Sequence, residues 1–224
     1  MCGRFTINLT YDELEKYVQS HYQNIEMRSF NLPRYNVAPG EDVIAILNDG
    51  KGFRIGEIKW GFQPKIIQDE NFQMINARSE SVFEKSTFKE SILLRRCVVV
   101  ADGFYEWDKK SGSRKPYLIH TNDKVFRMAA IWNVSIDKTG KKTFTLAIMT
   151  IDSNDMMHEI HDRMPVILDD ESERIWLNPK IMDIHSIQKV FKKYPSDLMF
   201  KHQVSNKVNN SKNKSVEVVE VIKL

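Results

Sequence analysis

The sequence predicts a single α+β domain, and three observations carry that prediction. Short β-prone runs recur along the chain, amphipathic helical stretches fall between them, and the two never settle into the strand–helix–strand rhythm of a parallel sheet. The length of 224 residues suits one sizeable domain, and no linker or internal repeat interrupts it. Hydrophobic content of 42% with 28% charged residues is that of an ordinary globular chain.

Taken in order, Thr10-Tyr11-Asp12-Glu13 forms a capping box with Leu9 and Leu14 at the staple positions, which predicts a helix over 11–20. Strands are expected over 42–47 and 53–58, joined by the turn-rich Asn48-Asp49-Gly50-Lys51-Gly52. Further strands are expected over 97–101, 117–121, 125–131, 143–150 and 165–168, and short helices over 155–160, 171–177 and 183–194. Residues 201–215 are polar and rich in Asn and Lys and read as a loop, while the β-rich 216–222 reads as a C-terminal strand.

The net charge is only +3, so charge alone does not mark a nucleic-acid binder. The basic pairs Arg95-Arg96, Lys109-Lys110, Arg114-Lys115, Lys141-Lys142 and Lys192-Lys193 each read as solvated surface. Two cysteines cannot build a disulfide framework, and Cys97, within Cys97-Val98-Val99-Val100, reads as a small core hydrophobe. No apolar run reaches the length of a membrane span and the start does not read as a signal peptide, so the expected location is the cytoplasm.

Four segments place polar residues in apolar or aromatic surroundings. The first is Met1-Cys2-Gly3-Arg4-Phe5. Methionine is normally trimmed before a small residue, which would leave Cys2 with a free α-amine beside its thiol. That pair can condense with an aldehyde and close a thiazolidine ring, and an α-amine pKa of about 7.7–8.0 leaves a useful unprotonated fraction. The second segment, Asn76-Ala77-Arg78, puts an amide and a guanidinium on one side of an extended chain, suited to orienting an amine and gripping a phosphate, or else to capping and solvent contact. The third, Phe104-Tyr105-Glu106-Trp107, sets a carboxylate among aromatics, where desolvation raises its pKa towards the proton-transfer range; Trp107 can stack on a base or fill a core. The fourth is His158-Glu159-Ile160-His161-Asp162-Arg163. Its histidines are three apart, not the four of a zincin helix, so no metal is expected; His161 is an acid–base candidate and Arg163 a phosphate contact.

These segments occur in order with Arg34-Tyr35-Asn36-Val37-Ala38-Pro39, Trp60-Gly61-Phe62 and His161-Asp162-Arg163-Met164-Pro165. The series closely resembles the SRAP family (SOS-response-associated peptidases, viewed as abasic-site sensors of the DNA damage response), and the resemblance runs from Cys2 to the C-terminal segment. It implies a barrel-like mixed sheet surrounded by short helices, a groove for single-stranded DNA, no cofactor and a monomer. By similarity, Cys2 would capture the aldehyde of an abasic site as a thiazolidine cross-link. Asn76 would hold the N-terminus, Glu106 would assist proton transfer, and His161 would act around imine formation. Arg78 and Arg163 would hold phosphates, with Arg4 and Trp107 also on the DNA side. Two places depart from the family pattern: Pro64-Lys65-Ile66 stands where Pro-Ser-Trp is common, and Ala38-Pro39-Gly40-Glu41 where Ala-Pro-Thr-Gln is common. A thiol peptidase using Cys2 and His161, an abasic-site lyase working through an imine, and a non-catalytic single-strand binder are the competing readings.

Overall fold

The computed structural model describes residues 2–65, 72–109, 112, 114–136 and 139–222. Along the chain run β1 (Phe5–Ile7), α1 (Tyr11–His21), β2 (Arg34–Val37), β3 (Asp42–Asn48), β4 (Phe53–Trp60), β5 (Asn76–Arg78) and α2 (Ser86–Leu94). There follow β6 (Arg96–Ala101), β7 (Gly103–Trp107), β8 (Pro116–Thr121), β9 (Phe126–Ile136) and β10 (Lys142–Asp152). The chain then forms α3 (Asp155–His158), β11 (Arg163–Pro165), β12 (Ile167–Leu168), α4 (Asp170–Trp176), α5 (Ile184–Gln188) and β13 (Met199–Gln203).

Hydrogen bonding runs β10–β4–β3–β6–β9 and returns from β9 to β10, closing a five-stranded barrel. The barrel is mixed because β4 meets β10 in parallel while its other neighbours are antiparallel. Closure removes the open edges of these strands, and Val98, Val100, Ile44, Ile46 and Ile148 along them are all fully buried. A second sheet, in the order β13–β8–β7–β1–β2, carries the N-terminal strand in an interior position. The expected barrel-like α+β fold with short helices is therefore the fold found. Among the described residues no helix is long and apolar enough to cross a membrane.

The N-terminal strand is held by several independent contacts. Phe5 and Ile7 are fully buried, with the Phe5 ring 5.2 Å from that of Trp60. Asp102 accepts from Thr6 Oγ1 at 2.7 Å and from the Asn8 amide at 2.9 Å, tying down the far end of β1. Gly103, paired with Thr6, permits the close approach: a Cβ there would lie 2.8 Å from Thr6 Oγ1 and 2.9 Å from Leu118 Cδ1.

The C-terminal prediction requires correction. Residues 216–222 do not make a strand: Val216–Val218 form a 3-10 turn, and only a bridge from Val221 to Val204 remains of the pairing. The start of the supposed loop is instead β13, paired with β8. The reason is Asn36, fully buried in β2, whose Nδ2 donates to the carbonyls of Val208, Asn210 and Asn213 at 3.3, 3.1 and 2.8 Å. These bonds draw the polar segment into a strap across β2, reinforced by Lys214 Nζ on the Asn36 carbonyl at 2.6 Å. Helix α5 is also shorter than expected, ending at Gln188. Conversely, α2 was not foreseen; it follows Lys85, whose side chain makes no cap. Arg96 is not solvated surface either: only 6% exposed, it donates to five main-chain carbonyls, those of Ile92, Leu93, Trp176, Asn178 and Ile181.

Replacing Asn36 with Ala strands several buried carbonyls, each of the kind whose lost partner costs about 1–3 kcal/mol. Urea unfolding should show Asn36→Ala destabilised by at least about 2 kcal/mol, with the strap exchanging its amide hydrogens faster than the barrel strands.

Candidate active site

Antiparallel pairing of Phe5 with Phe104 and the bond from the Tyr105 amide to the Arg4 carbonyl (2.9 Å) carry the first residues of the chain along β7. Cys2 thereby comes to the Glu106 end of that strand, fully buried. From the barrel side, β5 lies parallel to β10 with Asn76 opposite Ile148, and the Trp60 indole donates to the Ile75 carbonyl at 2.8 Å to hold this register. Asn76 Nδ2 donates to the Cys2 carbonyl at 3.0 Å, while Asn76 Oδ1 is buried with no hydrogen-bond partner.

His161 arrives from a third direction. Asn154 caps α3 by accepting from the Met157 amide at 2.9 Å, and the Met157 carbonyl then accepts from the amides of Ile160 and His161. The turn ends with the Arg163 amide donating to His161 Nδ1 at 3.0 Å. Lys109 Nζ sits 3.0 Å from His161 Nε2. Cys2, Asn76, Glu106 and His161 are thus supplied by the N-terminus, the β5 strand, the β7 strand and the turn after α3.

Burial dominates the electrostatics. Glu106 is 2% exposed, and loss of solvent pushes its carboxyl above the ordinary value against the pull of the amino terminus and Lys109. Burial likewise pushes the Cys2 thiol up to about 12, with the Glu106 charge adding to the rise. For His161, burial followed by the positive charges of the amino terminus and Lys109 brings the imidazole down to about 4. The ensemble favours an uncharged imidazole, an unionised thiol and a carboxyl held towards its protonated form.

The candidate phosphate contacts divide. Arg78 ends β5 exposed to solvent beside this group. Arg163, on β11, is instead engaged by carboxylates: Glu80 takes both terminal nitrogens at 2.8 and 2.9 Å, and Asp152 accepts at 2.5 Å. Arg4 is turned towards the strap, donating to Asn36 Oδ1 at 2.7 Å and to the Val208 carbonyl at 2.8 Å, and it lies 5.9 Å from the Trp107 ring centroid. The other side of Trp107 is fixed by its Nε1–H donating to Asn209 Oδ1 at 2.6 Å. Trp107, Lys109, Arg114 and Asn209 line a recess of about 400 Å³. Ile66, the departure in the Trp-Gly loop, lies outside the described residues. Glu41, the other departure, accepts from Arg34 at 2.9 Å and from the Ala38 amide at 3.0 Å, and so braces the turn after β2.

Sequence reasoning missed Lys109, Asn36 and Asn209. Lys109 was read with its neighbour as a surface pair, and nothing local to 107–110 signals His161. Asn36 stood inside a recognised motif, but the carbonyls its Nδ2 serves lie more than 170 residues away.

Glu106 binds its proton more tightly folded than unfolded, so the stability it contributes is full at low pH and is lost as pH rises through its raised folded value. His161 has the opposite sign: its contribution is present above the ordinary 6.5 and is lost as pH falls through about 4. Glu106→Gln should therefore be more stable than wild type at about pH 7.5 in urea titrations, with the difference shrinking towards about pH 4.5. A constant difference across that range contradicts the assignment.

A profile described as SOS response associated peptidase (SRAP) matches residues 1–211. Over 224 residues the chain is 38% identical to the abasic site processing protein YoqW of Bacillus subtilis, covering 98% of this chain and 99% of that one. It is 28% identical to the abasic site processing protein YedK of Escherichia coli, covering 99% and 100%, and 27% identical to the abasic site processing protein HMCES of Xenopus tropicalis, covering 99% and 78%. Among solved structures, a protein from Bacteroides thetaiotaomicron superposes with a TM-score of 0.78 at 26% identity, over 96% of this chain and 93% of that one.

Proposed function

The chain belongs to the SOS response associated peptidase (SRAP) family, and on that footing we propose that it captures abasic sites in single-stranded DNA by a covalent bond through residue 2. The observation that carries this reading is the fixed, buried position of Cys2, with its carbonyl on Asn76 and with Glu106 and His161 supplied from two other elements.

After removal of Met1, the α-amine attacks the C1′ aldehyde of the opened abasic sugar. The carbinolamine loses water to give an imine, and the Cys2 S–H adds across the C=N bond, sulfur to carbon and proton to nitrogen. One water leaves in all, and a five-membered thiazolidine remains. Asn76 Oδ1, buried and unpartnered, is the acceptor for the amine that aims it. Glu106, as an acid, protonates the departing hydroxyl, and neutral His161 accepts the proton given up as nitrogen or sulfur bonds to carbon. Holding amine, thiol and aldehyde together contributes about 7–11 kcal/mol of barrier reduction, more than any single proton transfer.

The thiol at about 12 weighs against a peptidase, which needs a thiolate before substrate arrives. In the amine-first order the sulfur reacts only once the imine electrophile is in place. Arg78 supplies the open phosphate contact, and the recess beside Trp107 offers an aromatic wall to a neighbouring base. Arg4 and Arg163 act chiefly by holding the Trp107 wall and the β10–β11 edge in place. Such chemistry suits a monomer in the cytoplasm, associated with the nucleoid in a bacterial host.

Processed protein incubated with single-stranded DNA containing one abasic site should give a heat-stable band on a denaturing gel. Cys2→Ala should lose that band, and Glu106→Gln should form it about 10²-fold more slowly. An undiminished band from Cys2→Ala would exclude the reading. Arg78→Ala should weaken capture chiefly at low salt, by about tenfold or less, with the difference from wild type shrinking as salt rises.

A further inference from the structure

The structure places hydrogen-bond donors at both ring nitrogens of His161. The Arg163 main-chain N–H points at Nδ1 from 3.0 Å, and Lys109 Nζ lies 3.0 Å from Nε2. A neutral imidazole has one lone pair and can satisfy one of these donors at a time; an imidazolium has none and satisfies neither. Lys109 is not there by accident of a flexible side chain alone. Its amide donates to the Ile160 carbonyl at 3.3 Å, next to His161, and the preceding Asp108 amide donates to the Lys115 carbonyl at 2.9 Å where the β7–β8 hairpin leaves the sheet.

We infer that Lys109 is a positioning residue that keeps His161 in its neutral, proton-accepting form during aldehyde capture. The Arg163 amide cannot be removed by substitution, but the Lys109 ammonium can. The other charges facing the imidazole act around it: the amino terminus opposes protonation and Asp162 favours it. Glu106, on β7, and the Cys2 thiol beside it complete the set of titratable groups at the site. Lys109 therefore extends acid–base competence to lower pH, where a free imidazole would already be charged and unable to accept a proton.

The inference rests on the aldehyde-capture reading for its consequence, and its test has one arm that does not. In the first arm, the His161 ring is titrated by NMR in wild type, Lys109→Met and Lys109→Arg. Lys109→Met should raise the midpoint by about one unit, and Lys109→Arg, which keeps the charge, should stay close to wild type. In the second arm, cross-linking rates are measured against pH and each profile is scaled to its own plateau. The acid limb of Lys109→Met should move up by the same amount, with Lys109→Arg restoring it. Lys109 is exposed, so its replacements should fold; circular dichroism checks this. An unchanged His161 titration in Lys109→Met overturns the inference. A raised midpoint with an unmoved acid limb also overturns it, because the charge would then have no bearing on capture. If wild type does not cross-link at all, the capture reading fails, while the titration still decides whether Lys109 holds His161 neutral.

Discussion

Everything at this site depends on a terminus that behaves as core. Chain ends are usually frayed unless something ties them down. Here β1 lies between β2 and β7, its three residues are buried, and Asp102 clamps its far end through Thr6 and Asn8. Residue 2 follows as a geometric consequence. Its carbonyl is held by Asn76 and its side chain is inside the protein, so a group that would ordinarily sample many positions is presented in one. The entropy of ordering it is settled in folding and not in the encounter with substrate.

Burial then sets the chemistry. An exposed Glu–His–Cys group would rest as carboxylate, partly charged imidazole and partly ionised thiol. Taken out of water, the carboxyl and thiol are held towards their protonated forms, and the imidazole, with positive neighbours, towards its neutral one. Such a set is poorly matched to a thiolate attack and well matched to condensation of an amine with an aldehyde, in which each step moves a proton between neutral partners. The strap formed by the C-terminal segment serves the same end from outside. Through Asn36 it fixes Arg4, Arg4 backs Trp107, and Asn209 holds the indole edge.

Much of this was legible in the chain because the relevant signals are local. The capping box at Thr10–Glu13, the hairpin turn after Asn48 and the apolar run from Cys97 each act over a few residues, and each formed as expected. Ordered motifs pointed to Cys2, Asn76, Glu106 and His161, although why they meet lies in barrel closure and in the antiparallel β1–β7 pairing, which no short window contains. What was illegible is non-local for the same reason. The valine-rich 216–222 has strand propensity but offers its partner only one bridge, because Asn36 draws the preceding chain across β2. Arg96 and Lys109 looked alike as surface cations and Arg163 like a phosphate contact; five carbonyls, one imidazole and two carboxylates distinguish them.

The central claim is that both the amine and the thiol of residue 2 become bonded to the same carbon of the lesion. Intact-mass and peptide-mapping spectrometry of the adduct between processed protein and abasic single-stranded DNA tests it most directly. The account expects one adduct, on the N-terminal peptide alone, at the summed mass less one water, with residue 2 no longer alkylatable at sulfur. An adduct mapped to another residue, or one on residue 2 that leaves its thiol free to alkylation, would contradict it.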